Sequence, residues 1–198
     1  MKPLSRISIC TLALALTIMG TTAYAGGFKN NISVRLVGTA DMYNGDVLFN
    51  EFHIELPAGK DNHPLCFDLD LVDVKSGKVI GSAADCLTDI TPMGDGGGVA
   101  LTGTTFFFFK GGTVVSQGLT TVQPILHGSL DFTHITGAIP QEGDNNVVYS
   151  DRKFKNVKGP VRLSGTVELS DFPNSASFDC VFILDLEKKR KKDRKKDR

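Results

Sequence analysis

The chain of 198 residues lacks tryptophan and has only three tyrosines, so nearly all of its aromatic side chains are its 13 phenylalanines. No segment keeps the 3.6-residue apolar period of an amphipathic helix over three turns, which argues against a helical protein. Glycine is abundant, with 21 residues. This composition favours a sheet protein with many turns.

Common signatures of enzymes and metal sites are absent as well. The sequence has no C-x-x-C, no G-x-S-x-G and no recognisable Ser/His/Asp arrangement. Asp68, Asp70 and Asp73 resemble a fragment of a calcium loop, but the glycine and the further oxygen ligands of an EF-hand are missing at the required spacing. We therefore predict neither a metal ion nor a cofactor.

The first 25 residues have the pattern of a signal peptide. Lys2 and Arg6 precede an apolar run over residues 7–19, and Ala23-Tyr24-Ala25 fits the small-x-small rule for cleavage before Gly26. The alternative, a transmembrane helix, would need about 20 apolar residues. We predict that residues 1–25 are removed and that the protein is secreted or periplasmic.

The opposite end, residues 188–198, contains nine basic and two acidic residues and no apolar one. Such a segment is predicted to be disordered, either as an electrostatic arm for anionic surfaces or as a dispensable solvated tail. Residues 26–187 form the predicted single domain and carry a net charge of −9, from 11 basic and 20 acidic residues. This acidity argues against binding of nucleic acid or anionic membranes by the domain itself.

Alternating apolar residues predict about eight strands, which favours a closed eight-stranded antiparallel barrel, with an open sandwich as the alternative. In the most distinct hairpin, Gly111-Gly112 is predicted to form a two-residue turn that pairs Phe109 with Val114. The eight predicted main strands are residues 28–40, 47–56, 65–74, 79–87, the two arms of a hairpin over 99–122, 161–169 and 177–186. Residues 131–135 and 146–149 are predicted as additional short strand segments.

Four consecutive phenylalanines lie in that hairpin. Phe106 and Phe108 share one face, and Phe107 and Phe109 share the other, so both faces of the sheet must be covered. One pair fills the barrel interior, and the other needs a second cover, most simply another subunit. Homo-oligomerisation is therefore predicted, and the inward pair decides between a filled core and a ligand cavity.

Three cysteines remain after cleavage. Cys66 and Cys86 flank a predicted turn at Ser76-Gly77, and a single bulge would place them opposite each other, which favours a cross-strand disulfide. A Cys66–Cys180 bond is the alternative. On the predicted strand over 47–56, Glu51, His53 and Glu55 share one face. They could form a general acid/base pair or metal ligands, with a solvent-facing strand surface as the alternative.

Four segments together resemble the allene oxide cyclase and dirigent superfamily. They are Phe67-Asp68-Leu69-Asp70-Leu71 with residues 77–86, the phenylalanine hairpin with Gly111-Gly112-Thr113, His134-Ile135-Thr136-Gly137-Ala138, and residues 154–159 with Val161-Arg162-Leu163. The resemblance covers about residues 65–186, with Ala138 in place of the second glycine of the family's turn.

The resemblance implies an eight-stranded antiparallel barrel, often trimeric, with an apolar cavity. Plant members cyclise a fatty-acid epoxide or steer the coupling of phenoxy radicals, both by holding a reactive intermediate in one conformer. Asp68 or Asp70 falls where dirigent proteins have a cavity aspartate. Glu51 and Glu55 are candidate counterparts of the cyclase's first-strand glutamate.

We therefore predict a secreted barrel that binds an apolar small molecule and guides its cyclisation or coupling. Asp68 and Asp70 are the candidate catalytic residues, and the candidate ligand contacts are Glu51, His53, Phe106 and Phe108. The alternative is a non-catalytic structural or interaction protein whose barrel is filled by its own side chains.

Overall fold

A computed structural model describes residues 28–56, 63–125, 131–140 and 143–188. The predicted signal peptide and all of the predicted basic tail after Lys188 lie outside the described residues. The strands are β1 (Phe28–Asp41), β2 (Tyr43–Asn44), β3 (Leu65–Asp73), β4 (Val79–Pro92), β5 (Val99–Phe109), β6 (Gly112–Pro124), β7 (Phe132–Ile139), β8 (Val147–Ser150), β9 (Val157–Lys158), β10 (Val161–Glu168) and β11 (Ser175–Lys188). A short helix α1 (Asp46–Glu51) and a 3-10 turn (Arg152–Phe154) complete the elements.

Eight of these strands form a closed antiparallel barrel, as predicted. Neighbours follow in the order β1, β11, β10, β7, β6, β5, β4 and β3, and β3 pairs back onto β1 through Val34–Val37. Closure leaves the eight-stranded ring without a free edge. The three short strands pair on its outside or its rim.

Alternate residues of each strand point into the barrel and form its core. On β3 the inward side chains are Phe67, Leu69 and Leu71, whereas Asp68 and Asp70 point outward. The end of the barrel that carries the β5–β6 turn, which we call the base, is closed by Phe109 and by Phe154 of the 3-10 turn, whose rings lie 5.2 Å apart. We call the opposite end the mouth.

The prediction of a strand over residues 47–56 is wrong, because Asp46–Glu51 form helix α1. The Asn44 side chain accepts a hydrogen bond from the Asp46 backbone N–H at 2.8 Å, which starts the turn locally. Leu48, Phe49 and Phe52 then share one helix face at the spacing i, i+1 and i+4. A helix of six residues is too short to show a period over three turns.

Helix α1 covers the outer face of the phenylalanine hairpin. The Phe49 and Phe52 rings each lie 5.5 Å from Phe106, and Phe52 lies 5.1 Å from Tyr149 and 5.9 Å from Phe108. We call these five rings the outer aromatic cluster. The cover expected from a second subunit is thus supplied by the same chain.

The register of the hairpin differs from the prediction by one residue at the turn. Phe109 pairs with Gly112 rather than Val114, so the two turn residues are Lys110 and Gly111. Gly112 has φ of 144°, and its backbone lies against the side chain of Asp151. The cross-strand partner of each phenylalanine moves by two residues, an even number. Phe106 and Phe108 therefore still share one face of the sheet, and Phe107 and Phe109 share the other.

Among the described residues, no helix has the length and apolarity needed to cross a membrane.

Candidate functional site

An apolar pocket of about 200 Å³ opens at the mouth of the barrel. It lies where strands β4, β10 and their neighbours end, and two mouth residues, Ile90 and Phe172, expose 40% and 43% of their surface. Every side chain that lines it within the described part of the chain is apolar: Phe67, Leu87, Ile90, Val99, Leu101, Val122, Ile135, Val167, Leu169, Phe172, Ala176 and Phe178, with Gly98 completing the wall. We call this space the mouth pocket.

The pocket ends on packed rings rather than continuing through the barrel. Phe67 and Phe178 are 5.1 Å apart at its inner end, and Phe107 and Phe182 fill the section beneath, 5.2 Å apart. Phe67, Phe107 and Phe182 are almost fully buried. The barrel is therefore filled at its base and partly open at its mouth.

A polar layer lies inside the barrel at the level where the pocket ends. Asp85 on β4 is opposite Phe67 on β3, and it shares the inward face with Leu87 of the pocket wall. Its carboxylate accepts a 2.7 Å hydrogen bond from the hydroxyl of Thr105, its neighbour on β5. Cys180 of β11 is also buried and donates its thiol hydrogen to the Thr166 carbonyl at 3.6 Å.

Burial governs the protonation of this layer. Desolvation raises the pKa of Asp85 from 3.8 to about 6, although the Thr105 hydrogen bond opposes the rise. Burial, followed by the negative charges of Asp85 and Asp179, raises the pKa of the Cys180 thiol well above its usual range. The thiol is thus neutral and a poor nucleophile, whereas Asp85 changes charge in a physiological pH range.

The two candidate catalytic aspartates lie outside the barrel. Asp68 and Asp70 are exposed on the outer face of β3, beside a solvent-open groove with Thr39 and Ser82. The hydroxyl of Tyr43 donates a 2.8 Å hydrogen bond to Asp68, and burial together with this carboxylate raises the pKa of Tyr43. The structure does not bring either aspartate to the mouth pocket.

Glu51 and His53 do not share a strand face, because the segment is helical. Glu51 is the last residue of α1, and His53 follows it with φ of 52°; both are exposed on the outer surface. Glu55, which follows, is exposed as well. None of the three lines the mouth pocket.

Phe106 and Phe108 form the outward pair of the hairpin, in the outer aromatic cluster, and Phe107 and Phe109 form the inward pair. All four pack against other rings, so the inward pair contributes to a filled core near the base. The ligand contacts predicted at Phe106 and Phe108 would lie beneath α1, away from the mouth.

The predicted disulfide is confirmed. Cys66 and Cys86 are directly opposite each other on β3 and β4, and their sulfurs are bonded. The register shifts between Leu71 and Val72, which is the predicted bulge. Gly45 lies against the Cys66 sulfur so closely that any Cβ would collide with it, and the start of α1 is thereby placed over the bond.

Asp85 is the polar residue of this region that sequence reasoning missed. The strand pattern could have identified it. Cys66 lies on the same face of β3 as Asp68 and Asp70, which point outward, and its disulfide partner Cys86 must therefore also point outward. By alternation, Asp85 must then face inward among apolar neighbours. A buried acid in such a position is a candidate functional residue.

No group of three or more His, Cys, Asp or Glu side chains among the described residues could hold a metal ion.

Comparison with known proteins adds little to this geometry. No protein-family model matches the chain, and no curated protein matches it. Among solved structures, it is similar to a nonspecific heme-binding cyclase that catalyses a 4 + 2 cycloaddition during neoabyssomicin biosynthesis, with 11% sequence identity and a TM-score of 0.35. The match covers 79% of this chain and 65% of that protein, and it is too distant to transfer an activity.

Fold and site together define an antiparallel eight-stranded barrel, closed at the base by aromatic side chains and open at the mouth into an apolar pocket. The barrel that the superfamily resemblance implied is present, whereas membership of that superfamily stays a prediction.

Proposed function

We propose that this protein is an exported barrel that holds a small apolar molecule in its mouth pocket. The observation that carries the proposal is the wholly apolar lining of a pocket that opens to solvent. Export is supported by the Cys66–Cys86 bond, because disulfides persist mainly in oxidising compartments.

The pocket volume limits the size of the ligand. Typical ligand sites enclose about 300–1,000 Å³, whereas an apolar cavity of about 150 Å³ suffices for benzene. At about 200 Å³, the mouth pocket suits a single ring or a short alkyl segment rather than a whole fatty acid. A longer molecule would leave its remaining part outside the mouth.

Guidance of a cyclisation or coupling, as the resemblance implied, would depend on the shape of the pocket. Among the described residues no titratable side chain lines it, so none of them can act as an acid or base on the bound part of a ligand. Any chemistry at Asp68 or Asp70 would instead take place in the outer groove. We therefore propose binding as the primary function and guidance as a consequence of it.

A second candidate is the side-chain-filled structural barrel. It is favoured by the near-complete burial of Phe67, Phe107 and Phe182 and by a pocket below the usual ligand range. In that case the pocket would be a packing defect at the rim. A homo-oligomer also stays a prediction, supported by the exposed pair Leu119 and Ile139 on neighbouring strands of the outer wall.

Titration with a series of n-alkanols of increasing length separates the two candidates. Each added methylene buried in the pocket should strengthen binding about fourfold, from about 0.8 kcal/mol per group, until the chain exceeds the pocket. Isothermal titration calorimetry measures the affinities. Native mass spectrometry of protein from its own host would show whether a ligand of this class co-purifies.

Two matched variants locate the site. Val122→Phe fills the pocket and should abolish alkanol binding, whereas Val148→Phe makes the same change on the exposed outer wall and should leave it intact. Asp68→Ala and Asp70→Ala should also bind normally. Absence of binding by the native protein, or equal binding by the two phenylalanine variants, would refute the proposal.

A further inference from the structure

The exposed cations of the barrel are concentrated at its base. Three neighbouring turns carry them: the β3–β4 turn, the β5–β6 turn and the segment around the 3-10 turn. We call this set the basal surface, and its members are Lys75, Lys78, Lys110, Arg152, Lys153 and Lys155, all exposed.

The three turns form one continuous surface. The backbone N–H of Lys153 donates to the Gly111 carbonyl at 3.1 Å, which joins the 3-10 turn to the β5–β6 turn. Gly81 pairs with Phe109, so the β3–β4 turn lies beside Lys110 on the other side. The cations therefore follow the rim of the base rather than being scattered over the wall.

The carboxylates within these turns offset only part of the charge. Asp73 accepts two 2.7 Å hydrogen bonds from the backbone and hydroxyl of Ser76, and Asp151 accepts one of 2.7 Å from the Thr113 N–H. Between described residues, Arg35 pairs with Asp179, and the His63 ring hydrogen-bonds Asp46; neither contact involves a basal cation. Six cations and two carboxylates leave these turns with a net charge of about four positive units.

The mouth has the opposite charge. Within residues 88–101, 119–125, 131–136 and 165–178 the described chain has no lysine or arginine. The same segments contain five acidic residues: Asp89, Asp95, Asp131, Glu168 and Asp171. The net charge of −9 over the domain therefore conceals a positive base: the basal turns contribute about +4, the mouth segments −5 and the remaining residues of the domain −8.

The basic C-terminal segment begins at the same end. Strand β11 ends at Lys188, opposite Val157 next to the 3-10 turn. The ten residues that follow contain eight basic and two acidic side chains.

We propose that the basal surface docks the protein on a bilayer of anionic phospholipids, with the mouth pointing away from it. Clusters of lysine and arginine bind anionic lipid headgroups without a shaped pocket. The acidic mouth is repelled by the same bilayer, which sets the orientation.

A nucleic-acid partner fits these turns less well. Single strands are held by exposed aromatic side chains on which the bases stack. In the basal turns Phe154 is buried and Phe109 is packed against it. Docking through the base also leaves the mouth pocket open to solvent, although the docking proposal does not depend on ligand binding there.

The test is co-sedimentation of the mature chain with phosphatidylcholine vesicles, with and without phosphatidylglycerol. We expect binding only to the anionic vesicles, and weaker binding as salt increases. Removal of each cation should cost about a fivefold loss of affinity, so Lys110→Gln, Lys153→Gln and Lys155→Gln together should cost about 100-fold.

The control changes the net charge equally at the other end. Thr91→Glu, Gln123→Glu and Ser170→Glu, all at exposed mouth positions, add three negative charges and so lower the net charge by the same three units. They should leave affinity within a few-fold of the native value. Equal losses from the two triple variants would show that only net charge matters and would overturn the proposal.

Three further outcomes would also overturn it. They are failure of the native chain to bind anionic vesicles, tighter binding to a single-stranded DNA oligonucleotide at the same salt, and complete loss of vesicle binding on truncation after Lys188. In the truncated protein, we expect residual binding that the basal triple variant removes.

Discussion

The clearest consequence of the structure for stability is that Asp85→Asn should remove a pH dependence of folding. The Asp85 carboxyl is enclosed in the barrel, and the hydrogen bond described for its side chain comes from Thr105. Asparagine has nearly the same shape, and its carbonyl oxygen can accept the same hydrogen bond. The change therefore removes the charge and leaves the packing almost unaltered.

The pKa of Asp85 rises from 3.8 to about 6 on folding. The folded state therefore binds the proton of the Asp85 carboxyl more tightly than the unfolded state does. Protonation of Asp85 stabilises the fold fully below about pH 4, and this stabilisation is lost as the pH rises through about 6. A shift of about two units corresponds to about 3 kcal/mol. Asp85→Asn should thus increase the free energy of unfolding at pH 7 by up to about 3 kcal/mol, less the cost of any amide hydrogen left unpaired.

Urea unfolding at a series of pH values between about 4 and about 8 measures this difference. Asp70→Asn, an exposed change on the neighbouring strand, is the control and should keep the native profile. Thr105→Val should lower stability by about 1.5–3 kcal/mol, mostly where Asp85 is ionised. If Asp85→Asn and the native protein show parallel pH profiles, the carboxyl is not buried as described.

Two further predictions concern the outer side of the wall. Replacement of Cys66 and Cys86 by alanine should lower the free energy of unfolding by about 3 kcal/mol, because the lost disulfide spans 20 residues. Dithiothreitol should destabilise the native protein but not the double variant, and equal sensitivity of the two proteins would contradict the disulfide. Phe52→Ala should lower the free energy of unfolding by about 3 kcal/mol in a urea titration, because it removes three ring contacts of the outer aromatic cluster. Val47→Ala, on the exposed face of α1, should have almost no effect. A similar loss of stability in the two variants would argue against α1 as the cover of the hairpin.

Strand alternation made most of the barrel predictable. The clean period of two in residues 65–71 placed Phe67, Leu69 and Leu71 on one face, and the structure has all three in the core. The disulfide followed from the same register with one bulge. These features depend on local patterns and short hairpins, which single-sequence reasoning resolves well.

Helix α1 was not predictable in the same way. Residues 47–52 have apolar side chains on both faces of a hypothetical strand, and only tertiary packing against Phe106 and Phe108 selects the helical arrangement. Intrinsic preference is a weak guide when such packing decides. The error also moved Glu51 and His53 from a supposed barrel face to the exposed end of a helix.

The mouth pocket depends on long-range closure. Its walls come from β3 through β7 and from β10 and β11, so its volume is set by how far side chains from distant segments fill the space. The sequence identified the question, which was whether the inward phenylalanines fill the barrel. The sequence alone could not predict how much space these side chains leave, because the position of a single aromatic ring decides whether a pocket of about 200 Å³ stays empty.

The proposed function requires that the mouth pocket accept an apolar ring. A crystal structure of the protein soaked with bromobenzene tests it most directly, because the anomalous signal of bromine locates the ligand. We expect one bromine position in the mouth pocket, in contact with Phe67, Val122 and Phe178. Bromine bound only at the outer aromatic cluster, or no bound bromine, would contradict it.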